Sequence, residues 1–273
     1  MALNFFKKMD FSLKYQKYMI PASNEINNMV LSYVKVKNNR QPLEMALDVG
    51  CGTGRYTLPL APHFKKVLGL DISESQLSLA KELTSAKNVT YMVALAEKLP
   101  VKDASVDLVN AGLAAHFFTL DKFLNETVRV LKTRGCLAVH AGELSSEIEY
   151  KNLSEDLNVV MSEVWDTLIE HVDVNAFGGE LFSRYQNLFE SIPLKDKERI
   201  TDIPVTFQMS IPEVIGFIQS IVMFHQFKEK DVKGAEEFLT NTEKRFREIL
   251  GEEADSAQMN MKIKHYCVLA CKH

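Results

Sequence analysis

The stretch Leu47-Asp48-Val49-Gly50-Cys51-Gly52-Thr53-Gly54-Arg55-Tyr56-Thr57 joins an apolar run to three glycines at alternate positions. Met45, Ala46, Leu47 and Val49 read as a buried parallel strand, and the glycines then demand a sharp turn. Glycine allows positive φ and lets a ligand approach the main chain with no Cβ in the way, while the start of the next helix offers unpaired N–H groups. About twenty residues on, Val67-Leu68-Gly69-Leu70-Asp71 reads as a second buried strand ending in an acid that can accept from ribose hydroxyls. Ser73 with Gln76 three residues later is a capping-box start for the following helix. Strand, glycine turn, helix, strand and acid together describe the nucleoside-binding half of a doubly wound sheet. The pattern does not by itself name the nucleoside, but the third glycine of the dinucleotide fingerprint G-x-G-x-x-G is Arg55 here and the spacing is G-x-G-x-G, a departure that favours another ligand.

With 273 residues, 46% hydrophobic and 25% charged, the chain suits one large soluble domain, or one with an inserted cap. Its 36 acidic residues against 32 basic ones give a formal charge of −4, so nothing global draws it to nucleic acid, and no basic tract is visible. No stretch has membrane-spanning length, and the N-terminal residues lack the order of a signal peptide, so the expected location is cytoplasmic, with no membrane partner. The four cysteines, Cys51, Cys136, Cys267 and Cys271, form no C-x-x-C pair and have no cluster of ligand-type residues beside them. They read as buried thiols, and no metal is expected.

The remaining periodicity supplies a leader (residues 1–40) with a helix from Asn24 to Val36, and a turn after Gly54 cut short by Pro59 and Pro62. A helix over 74–85 precedes a strand over 89–94, and strands over 106–110 and 136–141 flank a helix from Asp121 to Leu131. Residues 143–202 exceed what a sheet connection requires. They carry helical patterns over 153–171 and 180–192, split by Asn175-Ala176-Phe177-Gly178-Gly179, and read as a helical cap inserted after strand 5. A strand over 205–209, the helix start Ser210-Ile211-Pro212-Glu213, a charged helix over 235–250 and a last strand over 264–271 complete the chain. The expected fold is α/β, a mostly parallel seven-stranded sheet in the order 3-2-1-4-5-7-6, with the last strand antiparallel.

The segment LDVGCGTG with its leading acid resembles motif I of class I S-adenosylmethionine-dependent methyltransferases, in the type 11 domain group. The resemblance runs on through VLGLDIS, Ala96-Glu97-Lys98-Leu99-Pro100, Ser105-Val106-Asp107-Leu108-Val109 and Leu131-Lys132-Thr133-Arg134-Gly135, covering roughly residues 43 to 142. It implies S-adenosylmethionine as cofactor, held by Asp48, Gly50, Cys51, Gly52, Thr53, Gly54, Tyr56, Asp71, Ile72, Leu95, Ala96, Glu97, Asn110 and Ala111. Leu95 stands where many relatives have an aspartate for the adenine amino group, a contact leucine cannot make.

Ala111-Gly112-Leu113-Ala114-Ala115-His116-Phe117-Phe118 is similar to the A-A-Q-A-A-H-W-F-D segment of the trans-aconitate methyltransferase-like subgroup, which implies that His116 stands near the reacting sulfonium as the candidate catalytic residue. The same subgroup is resembled by the leader, with Met19 and Ala22 at altered positions, and by Gly216-Phe217-Ile218-Gln219-Ser220. Tyr15, Tyr18, His116, Phe117, Trp165, Tyr185 and Gln219 are then the expected substrate-pocket residues, with Phe177, Phe224 and His225 as further candidates. The implied reaction is methyl transfer to a small molecule, a carboxylate among the options, by a monomer or homodimer. Two other classes stay in view: a cofactor-binding but inactive regulatory protein, suggested by Leu95 and Leu113, and a methyltransferase for RNA or protein, which the missing N/D-P-P-Y segment at Asn110 disfavours.

Overall fold

The computed structural model describes residues 2–38, 43–172 and 179–273. The expected split at Asn175–Gly178, and with it Phe177, lies outside the described residues. The chain divides into two units. The core unit takes the described parts of Pro21–Gly142, Phe177–Ile203 and His265–His273; a helical unit takes those of Met1–Ile20, Glu143–Ala176 and Pro204–Lys264.

In the core unit β1 (Leu43–Val49) lies between β2 (Phe64–Asp71) and β4 (Val106–Gly112), parallel to both. Outside these stand β3 (Val89–Val93), parallel to β2, and β5 (Leu131–Gly142), parallel to β4. β8 (Met259–Cys271) runs antiparallel to β5, with Cys136 opposite Cys271 and Gly142 opposite His265, and β7 (Asp196–Met209) pairs with β8. The order is therefore β3-β2-β1-β4-β5-β8 with β7 beyond, the expected doubly wound arrangement.

These strands are near-continuous apolar runs because helices cover the sheet. Ser23 caps α2 (Asn24–Lys37) by accepting from the Ile26 N–H at 3.2 Å. The helix then sets Ile26, Val30, Leu31 and Val34 on Ala46, Val67, Leu108, Ala138 and Leu269 of alternate strand positions. Four buried aliphatic side chains at about 1.5–3 kcal/mol each put this contact at roughly 6–12 kcal/mol, an upper bound. A charge at Val34, which is fully buried, would break it. α3 (Glu74–Leu83) packs on β2 and β3, and α4 (Leu120–Val130) on β5.

The helical unit holds α1 (Met9–Tyr18), α5 (Ser154–His171), α7 (Ile211–Ser220), α8 (Val222–Lys230) and α9 (Val232–Leu250). α1 packs on α7, where a Cβ at Gly216 would collide with the Tyr18 ring. α7 starts at the capping box read from the sequence, with Ser210 and Glu213 bonded reciprocally. A short strand, β6 (Glu147–Glu149), pairs with Asn260–Lys262 of β8; the sequence reading did not include it.

Residues 180–192 depart from the expected helix. Only α6 (Gln186–Ser191) is helical, because Arg184 and Tyr185 both take left-handed φ, at 51° and 59°. Among the described residues no helix is long and apolar enough to cross a membrane.

Candidate functional site

The glycine turn lies between the C-terminal end of β1 and a 3-10 segment at Leu58–His63, which contains Pro59 and Pro62. Gly50, Gly52 and Gly54 have φ of +69°, +54° and +85°. Their surroundings differ. A Cβ on Gly50 would come within 2.5 Å of the Ala114 Cβ, and one on Gly54 would strike the Tyr91 hydroxyl, so both are required by the protein's own packing. Gly52 is different: its nearest neighbour would be the Gln76 side-chain oxygen, 3.3 Å away. Close approach at Gly52 is thus left to whatever the turn receives.

Asp71 at the end of β2 ties this turn down. One carboxylate oxygen accepts from the Gly52 N–H at 2.8 Å and the other from the Ser73 N–H at 2.8 Å. Each oxygen keeps a second lone pair for another donor. Burial pushes the Asp71 carboxyl upward, opposed by those backbone donors. Gln76, which caps nothing with its own side chain, is 1% exposed, and both of its amide atoms lack a partner among the described residues. Its main-chain N–H goes to the Ser73 hydroxyl at 3.2 Å. Thr53 is likewise buried with its hydroxyl unpartnered. Buried polar atoms of this kind cost about 1–3 kcal/mol each when left unmade. A glycine cradle flanked by a buried amide, a hydroxyl and an acid fits a polar ligand carrying hydroxyls.

Asp48 stands behind the turn. It is 1% exposed, accepting from the Thr57 hydroxyl at 2.6 Å and from the Asn110 side-chain amide at 2.8 Å. Burial raises its pKa to about 6, against the pull of those two donors. Asp48 thereby acts through Asn110 and Thr57. Cys51 is buried, its thiol pushed well above the ordinary range by burial and then by Asp71 and Asp48. Tyr56 packs edge-on against His140 with centroids 4.5 Å apart. Leu95 is 56% exposed, Ile72 is partly buried and Ala96 is buried, while the Glu97 carboxylate accepts from the Thr119 N–H at 2.7 Å. Ala111 is fully buried in β4.

β4 is followed by Leu113 at φ 56°, whose N–H bonds the His140 carbonyl at 2.8 Å. The chain then turns through a 3-10 segment, Ala115–Phe117, that carries His116. The His116 ring is buried, 4.2 Å from the Phe117 ring centroid, with Nδ1 3.1 Å from the Tyr185 hydroxyl. Burial lowers its pKa to about 3, so the ring is neutral. The core unit thus brings together His116, Phe117 and Tyr185. Tyr15, Tyr18, Trp165, Gln219, Phe224 and His225 belong to the helical unit: Tyr15 stacks on Phe11, Trp165 donates to the Ser146 hydroxyl at 2.9 Å, and the Gln219 carbonyl lies 2.9 Å from His225 Nε2. The sequence reading assigned Gln76 only to a helix start. The inward turn of its side chain carries no signal in the sequence, where Ser73 and Gln76 already read as a complete helix start.

Comparison with known proteins bears on this geometry. Residues 47–139 match the family model described as a methyltransferase domain. The chain is 33% identical over 128 residues to a protein of Dictyostelium discoideum named as a methyltransferase, covering 47% of this chain and 46% of that one. It is 31% identical over 124 residues to a Saccharomyces cerevisiae protein named as an S-adenosylmethionine-dependent methyltransferase, covering 44% and 42%. Each match therefore spans less than half of the relative. A solved structure from Anaeromyxobacter dehalogenans, described as a type II methyltransferase, superposes with a TM-score of 0.72 at 19% identity over 93% of this chain and 100% of that one, a likeness of fold.

Proposed function

We propose that the chain carries a class I S-adenosylmethionine-dependent methyltransferase domain and that it methylates a small molecule, a carboxylate being the favoured acceptor. The observation that carries the cofactor half of this reading is the Gly52, Asp71 and Gln76 cluster, a glycine without competing contacts beside an acid and an unpartnered buried amide. Asp71 accepts from ribose hydroxyls with its remaining lone pairs, and the amide of Gln76 complements it. The main chain at Gly50 to Gly54 receives the amino-acid end. Ala96 offers main-chain groups to the base, and Leu95 and Ile72 offer apolar cover, in place of the side-chain acceptor that Leu95 cannot be.

 Asn110, fixed by Asp48, and Ala111 line the same end of β4.

When bound, S-adenosylmethionine supplies a sulfonium-activated methyl group, so the protein must chiefly hold a nucleophile in line and exclude water. His116, at the switch point where β4 ends beside β1, is the residue we place against the acceptor. An acceptor already ionised needs no base, whereas a phenol or an amine would need one. Small carboxylates are favoured because burial leaves the His116 ring weakly basic, which suits it poorly to taking a proton from a phenol or an amine. S-Adenosylhomocysteine should raise the melting temperature and NAD should not. Transfer of tritium from labelled cofactor, run on small carboxylates, phenols, amines, RNA and protein, tests the acceptor. Label entering RNA or protein with none in any small molecule would end this reading.

A further inference from the structure

Tyr185 is a bulky residue in an unusual place. It is fully buried, with φ 59° and ψ 28°, at the N-cap of α6, and Arg184 before it is left-handed too. A side chain with a Cβ avoids this region, and such a conformation persists only where the surroundings over-determine it. Here they do: the Tyr185 N–H bonds the Glu180 carbonyl at 2.9 Å, the Glu180 carboxylate accepts from the Leu188 N–H at 3.0 Å, and Tyr266 packs edge-on against the ring at 5.1 Å. The result is a phenol aimed at Nδ1 of His116.

The direction of that hydrogen bond follows from the burial of the phenol. Among the described residues Nδ1 of His116 is the hydrogen-bond partner of the phenolic oxygen, and a fully buried phenol gives its hydrogen to the acceptor within reach. That acceptor is Nδ1, 3.1 Å away. Burial pushes the phenol well above its usual range, so it keeps that hydrogen. With Nδ1 accepting, a neutral imidazole must carry its proton on Nε2.

We infer that Tyr185 is a positioning residue that locks His116 as the Nε2–H tautomer, making the ring a neutral hydrogen-bond donor and not a general base, so that the acceptor is one that arrives already ionised. This rests on the placement of His116 at the acceptor given above. It assigns the selectivity for ionised acceptors to one phenol outside the glycine turn. It also deepens the choice of carboxylate: a base mechanism would need a lone pair on the ring nitrogen that the Tyr185 hydrogen bond leaves protonated.

Nitrogen-15 spectra of the labelled protein read the tautomer directly, without cofactor or activity. At pH 7.5 the His116 signals should show a protonated Nε2 and a bare Nδ1. Tyr185→Phe should release the lock, giving a mixture of tautomers and about a tenfold lower kcat on a carboxylate with KM little changed. His116→Gln, which retains a donor but cannot be a base, should keep a larger share of activity than His116→Ala. A wild-type spectrum with the proton on Nδ1 overturns the inference, and it decides the matter even if Tyr185→Phe does not fold. So does a kcat that rises with pH through one ionisation of His116. Failure to bind S-adenosylhomocysteine would instead remove the functional reading, while leaving the tautomer result standing.

Discussion

Acid should unfold this protein well before its carboxylates are exhausted, and the size of the effect can be worked from two buried histidines and one partly buried. Burial lowers His116 and His140 to about 3 and His225 to about 4, from an ordinary value of 6.5. A group whose native pKa is depressed in this way binds protons in the unfolded chain first. Stability is therefore fully present above pH 6.5 and falls as the pH drops toward 4. At pH 5 each unfolded histidine has taken up a proton worth about 2 kcal/mol, which the native ring refuses, so three together cost about 6 kcal/mol. Asp48 works the other way. Raised to about 6, it is protonated first in the native state and returns about 1.4 kcal/mol at pH 5, and Asp71 is shifted in the same direction. The balance is a loss of several kcal/mol between pH 7.5 and pH 5. Urea unfolding followed by circular dichroism at the two pH values measures it, and His140→Gln isolates one residue: its pH difference should shrink by about 2 kcal/mol relative to the parent. Equal or greater stability at pH 5, or a His140→Gln variant with an unchanged pH difference, would refute the reasoning.

Asp71→Ala should weaken S-adenosylhomocysteine by about 1–3 kcal/mol, the scale of a charge-assisted hydrogen bond, as read by calorimetry. Gly52→Val should abolish that binding and leave the far-ultraviolet spectrum intact, since a branched Cβ suits neither the φ of +54° nor the approach of a ligand. Gln76→Leu should also weaken the cofactor, yet raise or preserve the melting temperature of the free protein, because it removes a buried amide that has no partner among the described residues. A drop in melting temperature with normal binding would return Gln76 to a packing role. Gly50→Ala should instead destabilise the protein itself, because its Cβ would stand 2.5 Å from that of Ala114.

The sheet was legible because each of its signals is local. Buried parallel strands are apolar at successive positions, the glycine turn declares itself by residue type, and Asp71 falls at the spacing that the fold imposes. The early end at His63 could be anticipated from Pro59 and Pro62. What escaped the sequence was set by tertiary contact. Leu181, Tyr185, Leu188 and Phe189 have helical spacing, but Arg184 and Tyr185 are left-handed, with Tyr185 held by Glu180 close by and by the ring of Tyr266 far away in the chain. β6 escaped for a different reason: three residues with a charge at each end carry no pattern, and only the edge of β8 makes them a strand. Gln76 looked complete as a capping residue, and its unpartnered amide becomes visible only when Gly52 is seen opposite.

The antiparallel place of β8 also governs the order in which the sheet can be finished. During synthesis β1 to β5 emerge first, and the pairing of Cys136 with Cys271 spans almost half of the sequence. Until residues 265–271 leave the ribosome, the outer edge of β5 exposes unpaired N–H and C=O groups along an apolar strand, the kind of edge that recruits other chains. Long-range pairing of this sort is slow to form. A nascent chain stalled anywhere between Gly142 and His265 therefore presents a nearly complete parallel sheet with one sticky side, and holding that side apart falls to chaperones.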